Sequence, residues 1–87
     1  MKKSTVKLYM RQRCHLCEDA KGMLEDLQQS WNFEIVEVDI DQDDRLVEQY
    51  GIIIPVIELD GEEVQAGIIH KKSIIEALTR KNVNIIS

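Results

Sequence analysis

The chain has one proline, four glycines and no segment of biased composition. It therefore lacks the material for a linker, a repeat or a disordered tract, and residues 1–87 read as one folded domain. Basic excess is also missing: sixteen acidic against eleven basic residues leave a net charge of −5. That sign disfavours non-specific binding to nucleic acid or to anionic membranes, which need cationic surface. No apolar run approaches a membrane span, and the basic start MKKSTVKLYM lacks the apolar stretch of a signal peptide. A cytoplasmic protein is the expectation, with neither nucleic acid nor membrane as a partner.

Cysteine is scarce too. The only two, Cys14 and Cys17, sit three apart in MRQRCHLCEDAK. In a reducing compartment such a pair is more often catalytic or metal-binding than structural. A bridge between residues three apart also closes too short a loop to stabilise a fold much. Zinc normally takes four ligands, and no second cysteine pair exists. His15 and His70 complete a set only if the fold unites them, so no metal site is assigned.

What is present is a regular alternation of patterns. Thr5–Met10 carries Val6, Leu8 and Met10 at strand spacing. Cys17, Ala20, Leu24, Leu27 and Trp31 recur at helical spacing, which predicts a helix from about His15 to Gln29 despite Gly22. Phe33–Val38 is apolar and β-branched, a second strand. The aspartates of DIDQDD suit a helix cap and first turn, followed by a short helix through Leu46, Val47 and Tyr50 that stops at Gly51. This acidic cluster lacks the glycine and terminal glutamate of a calcium loop. Asp60-Gly61 between apolar segments signals a two-residue hairpin joining strands Pro55–Leu59 and Glu62–Ala66, with Gly67 ending the ribbon. Lys71–Lys81 forms a closing helix capped at His70. The tail NVNIIS is either docked or frayed.

The order β-α-β-α-β-β-α predicts an α/β fold: a mixed four-stranded sheet with a parallel first crossover, an antiparallel hairpin and helices on both faces. Cys14 falls where the first strand gives way to the first helix. Unpaired N–H groups and the helix dipole there stabilise thiolate over thiol. Thiol pKa values at such positions fall from about 8.5 to about 3.5–7.5. Arg11, Arg13 and a protonated His15 act in the same direction, and Glu18 and Asp19 in the opposite one. Cys14 is thus the candidate nucleophile. Cys17, one turn along and more enclosed, is the candidate resolving thiol.

Cys-His-Leu-Cys after a first strand, then Tyr-Gly-Ile-Ile-Ile-Pro-Val-Ile, a hairpin and a last helix, resembles the glutaredoxin-like branch of the thioredoxin fold. The continuation Leu-Cys-Glu-Asp-Ala-Lys is most similar to the small bacterial glutaredoxin-like proteins. The resemblance covers nearly the whole chain. It implies a dithiol disulfide oxidoreductase acting on protein disulfides or mixed disulfides of small thiols. It also implies that Pro55 is cis and faces the cysteines, with the Ile54 backbone N–H and C=O available to an extended substrate. Read without the resemblance, Pro55 is a proline at the start of an edge strand. Arg11, three residues before Cys14, takes the place of the basic residue that contacts the glutathione carboxylate; otherwise it is a solvated loop arginine. Glutathione is accordingly a candidate reductant or substrate, and no resident cofactor is expected. The acidic pair that usually follows the hairpin is replaced by Ala66-Gly67-Ile68-Ile69-His70, and the usual Pro-Tyr by His15-Leu16, which weakens the glutathione implication but not the dithiol one. A monomer is expected. The competing reading is a non-catalytic thioredoxin-fold binding module, or a metal or iron–sulfur carrier, using the same cysteines.

Overall fold

Apolar alternation in the strands and apolar stripes on the helices each leave one side seeking cover, and the computed structural model, which describes residues 3–86, shows how they meet. The elements are β1 (Ser4–Met10), α1 (His15–Leu27), β2 (Phe33–Asp39), a 3-10 turn (Ile40–Gln42), α2 (Asp44–Tyr50), β3 (Val56–Leu59), β4 (Glu62–Ala66) and α3 (Lys71–Arg80). The sheet runs β2-β1-β3-β4. β1 pairs parallel with β2 and antiparallel with β3, and β3 pairs antiparallel with β4. This is the expected mixed four-stranded sheet.

The two faces are covered unequally. Val6 and Leu8 of β1, Phe33 of β2 and Ile57 and Leu59 of β3 point to one side. There they meet Ala20, Leu24 and Leu27 of α1 and Ile74, Ala77 and Leu78 of α3. The opposite side has a smaller cluster, in which Tyr9, Ile40, Tyr50 and Val56 pack under α2. Each fully buried large aliphatic or aromatic side chain contributes roughly 1.5–3 kcal/mol, so the larger cluster dominates the stability.

The hairpin forms as expected. Asp60 (φ 49°) and Gly61 (φ 87°) both take positive φ, the signature of a type I′ turn. The Asp60 side chain accepts from the Thr5 N–H at 2.8 Å, and its own N–H donates to the Thr5 C=O at 2.9 Å, tying the turn to β1. Gly67 (φ 77°) ends the ribbon.

Several boundaries differ from the sequence expectation. α1 stops at Leu27 rather than Gln29: Gln28 is the C-cap, its backbone N–H still on the Leu24 C=O at 2.9 Å and its side-chain amide donating to the Phe33 C=O at 3.0 Å. β3 starts at Val56, since Pro55 has no N–H for the ladder. α3 ends at Arg80 rather than Lys81. Gly51 follows α2 with φ −53°, so it is not a left-handed stop. Its need is steric: a Cβ there would lie 2.5 Å from the Val47 carbonyl oxygen. A register shift between Ile57 and Glu58 makes a bulge in the hairpin that alternation did not reveal. His70 occupies the cap position of α3, but its side chain makes no cap bond. The tail is docked: Val83 is buried, Trp31 bridges Ile85, and the Ile86 N–H donates to the Ser30 C=O at 2.8 Å. Trp31 is partly buried against the main core, closing the end of α1. Ser87 lies outside the described residues.

Candidate functional site

The strand registers gather four loops at one end of the sheet. Tyr9 opposes Val56, so the chain leaving β1 runs beside Ile54 and Pro55. Met10 opposes Asp39, which sets the 3-10 turn on the other flank. The Gly67 N–H donates to the Pro55 C=O at 2.8 Å and brings the end of β4 alongside. α1 starts at this same end.

Cys14 is the N-cap of α1, with extended backbone (φ −114°, ψ 102°). Its Sγ accepts the Cys17 N–H at 3.1 Å, and its C=O accepts the Glu18 N–H at 3.0 Å. A sulfur in this place takes the role that a serine or aspartate oxygen usually fills. The preceding residue, Arg13, is held at φ 61°, a left-handed conformation that costs a non-glycine residue roughly 1–2 kcal/mol. Cys14 is half-buried, whereas Cys17, one turn further into the helix, is only 3% exposed. The two sulfurs are joined as a disulfide, with Cα atoms 5.2 Å apart. Spacing along one helical turn thus does bring the pair within bonding reach, with the outer sulfur toward solvent.

The other predicted residues are placed less simply. The Ile54–Pro55 bond is cis and Pro55 is buried. The Ile54 N–H, however, donates to the Tyr50 C=O at 3.1 Å, and the Ile53 N–H to the same oxygen at 2.9 Å. The N–H expected to meet a substrate is therefore already engaged, a correction that follows from the tight turn after α2. Arg11 is a partly solvated loop side chain that is ion-paired. Its Nε donates to both oxygens of Asp41 at 3.2 Å, and its Nη2 to Oδ1 at 2.6 Å. The hydrogen bond and the charge of Asp41 hold the Arg11 guanidinium still more firmly protonated, and the Arg11 hydrogen bond lowers the Asp41 carboxyl below its ordinary range. His15 is almost wholly exposed, with Nδ1 4.0 Å from Glu18 Oε2.

Beside the disulfide lies a cavity of about 360 Å³ whose lining includes Arg11, Arg13, Cys17, Glu18, Lys21 and Glu37. Lys21 Nζ and Glu37 Oε1 are 3.4 Å apart. Lys21 and Glu37 were not singled out from the sequence, and Asp41 entered only through the acidic cluster read as a capping turn rather than a cation site. Lys21 had one available signal, its position one helical turn beyond Cys17. Glu37 and Asp41 had none, because only sheet register brings them to the cysteine end.

A family model described as "Glutaredoxin-like domain (DUF836)" matches residues 5–81. No curated protein matches the chain significantly. Among solved structures, a protein from Nitrosomonas europaea is 28% identical, with TM-score 0.75 over 88% of this chain and 93% of that one. One from X. campestris is also 28% identical, with TM-score 0.71 over 86% of this chain and 96% of that one. A thioredoxin from Halobacterium salinarum is 19% identical, with TM-score 0.66 over 98% of this chain and 79% of that one, a likeness of fold. Fold, strand order and a Cys-x-x-Cys pair at the start of the first helix converge with the match over residues 5–81: the chain belongs to the glutaredoxin-like domain family.

Proposed function

We propose that the protein is a thiol–disulfide oxidoreductase. The observation that carries this reading is the Cys14 sulfur at the N-cap of α1, accepting the Cys17 N–H while staying partly open to solvent. In the reduced protein the same N–H and the helix dipole stabilise negative charge on that sulfur. The Cys14 thiolate attacks one sulfur of a substrate disulfide. An S–S bond forms between Cys14 and substrate, and the other substrate sulfur leaves as a thiolate that takes up a proton. Cys17 then loses its proton and attacks Cys14 Sγ, so the second substrate thiol departs and the Cys14–Cys17 bridge forms. The substrate gains two electrons and the protein loses them. An external thiol reductant, glutathione or a protein dithiol, resets the pair.

Substrate is a protein disulfide or a mixed disulfide with a small thiol, in the cytoplasm. Cys17, nearly buried, is suited to react only with its neighbour. Ile54 and Pro55, which the β1–β3 register sets beside the chain leaving β1, meet the substrate in this reading through side chain and ring rather than through the Ile54 N–H.

The test is reduction of insulin and of hydroxyethyl disulfide, together with the pH dependence of Cys14 alkylation. Cys14→Ser is expected to abolish reduction. Cys17→Ser should accumulate a mixed disulfide, seen as an added mass on the intact protein. Alkylation of Cys14 should titrate below the ordinary thiol value of about 8.5. Reduction that survives Cys14→Ser ends this assignment.

A further inference from the structure

We infer that Asp41 is a specificity-determining residue: it occupies the guanidinium fork of Arg11 and so withholds the cation at this rim from disulfides that carry carboxylates. The inference rests on the dithiol function proposed above and narrows its substrate class toward disulfides without such groups.

Three observations lead here. The first is the fork itself, a carboxylate held through two nitrogens of Arg11 at 2.6–3.2 Å, three residues before Cys14. Planar two-point pairing is the geometry with which arginine recognises a carboxylate ligand. Asp41 therefore stands where the carboxylate of an anionic thiol would bind. The second is how Asp41 is presented. Its neighbours in the acidic cluster serve the backbone: Asp39 accepts the Asp41 N–H at 3.0 Å, and Asp43 accepts the Arg45 N–H at 2.9 Å. Asp41 makes no such cap. The fully buried Ile40 anchors its turn in the core, so the carboxylate comes from a fixed element. The third is charge. The cavity beside Cys17 is lined by three cations, Arg11, Arg13 and Lys21, and by two carboxylates, Glu18 and Glu37. Asp41 on Arg11 brings these groups into balance, and Asp39 adds a further negative charge nearby.

An incoming carboxylate must displace Asp41, exchanging one ion pair for an equivalent one and gaining nothing net. A neutral disulfide meets no such exchange. Both partners of the pair lie at the surface, within reach of a bound substrate and open to screening by salt.

The test compares wild type, Asp41→Asn and the double variant Arg11→Gln/Asp41→Asn on two substrates, glutathione disulfide and uncharged hydroxyethyl disulfide. Removing a competing rim carboxylate should raise the ratio of kcat/KM values, glutathione disulfide over hydroxyethyl disulfide, by about two- to fivefold, mainly through KM. The double variant should lose that gain. A binding arm needs no turnover: S-methylglutathione, which cannot exchange, is titrated into each protein and followed by NMR shifts. Its affinity should improve by the same factor in Asp41→Asn and return toward wild type in the double variant. Asp41→Ser serves as a second unmasking variant, and Asp41→Glu should keep the wild-type ratio. An unchanged ratio together with unchanged S-methylglutathione affinity overturns the inference. Tighter S-methylglutathione binding without disulfide reduction by any of the proteins would instead uphold the role of Asp41 and remove the oxidoreductase reading.

Discussion

The phenol of Tyr9 stacks on Tyr50 at 4.5 Å and donates to Glu58 Oε1 at 3.2 Å. Burial first, then the charge of Glu58, pushes its pKa from 10 up to about 12. A folded-state pKa above the unfolded one means that the stabilisation is complete below pH 10. It is lost as pH rises from 10 through 12, because the unfolded chain releases the proton first. Stability of the wild type should therefore decline more steeply than that of Tyr9→Phe between pH 10 and 12. Denaturant titrations across that range measure it. The same scale holds the cysteines. Their spacing and place before a helical pattern were readable in sequence, because capping is local chemistry. The engagement of Arg11 by Asp41 was not, since thirty residues separate them and only the β1–β2 register brings them together.

Among the elements, the β3–β4 hairpin depends on a turn that few residues tolerate. Gly61 sits at φ 87°, and a Cβ there would meet open space, so the cost of Gly61→Ala is conformational rather than steric. Left-handed geometry costs a non-glycine residue roughly 1–2 kcal/mol, and a loss of that size should appear as a lower urea midpoint with unchanged slope. Helix and strand identities followed from periodicity: 3.6 for α1 and α3, two for β1, and turn chemistry for the hairpin. Their ends did not. The end of α1 carries a tie to β2 through the Gln28 side-chain amide, and the bulge at Ile57–Glu58 lies beside Val64, which packs against the main core. The cap of α3 at His70 has the expected position without the expected side-chain bond, while the Gln65 Oε1 accepts the His70 N–H at 2.9 Å instead.

At the level of the whole molecule, stability rests on the face shared by α1 and α3. Leu24 is fully buried at its centre. Leu24→Ala should cost about 2–5 kcal/mol, read as a large drop in thermal midpoint, with the smaller α2 face unable to compensate. The docked tail belongs to this scale as well: Val83 joins the main core, and Asn84 and Ile86 pair with the backbone after α1. Sequence left that tail open because its short apolar pattern has no local partner.

By itself the sequence determined the order of elements, the hairpin turn and the chemistry of a cysteine pair at a helix start. Each of these is set by neighbours within a few residues, through periodicity, backbone conformation and unpaired helical N–H groups. Only the tertiary structure decided which loops share the cysteine end, that the Ile54 N–H is spent on Tyr50, and that Arg11 is held by Asp41. Those outcomes depend on strand order and register, and register is fixed by burying whole faces at once rather than by any local motif.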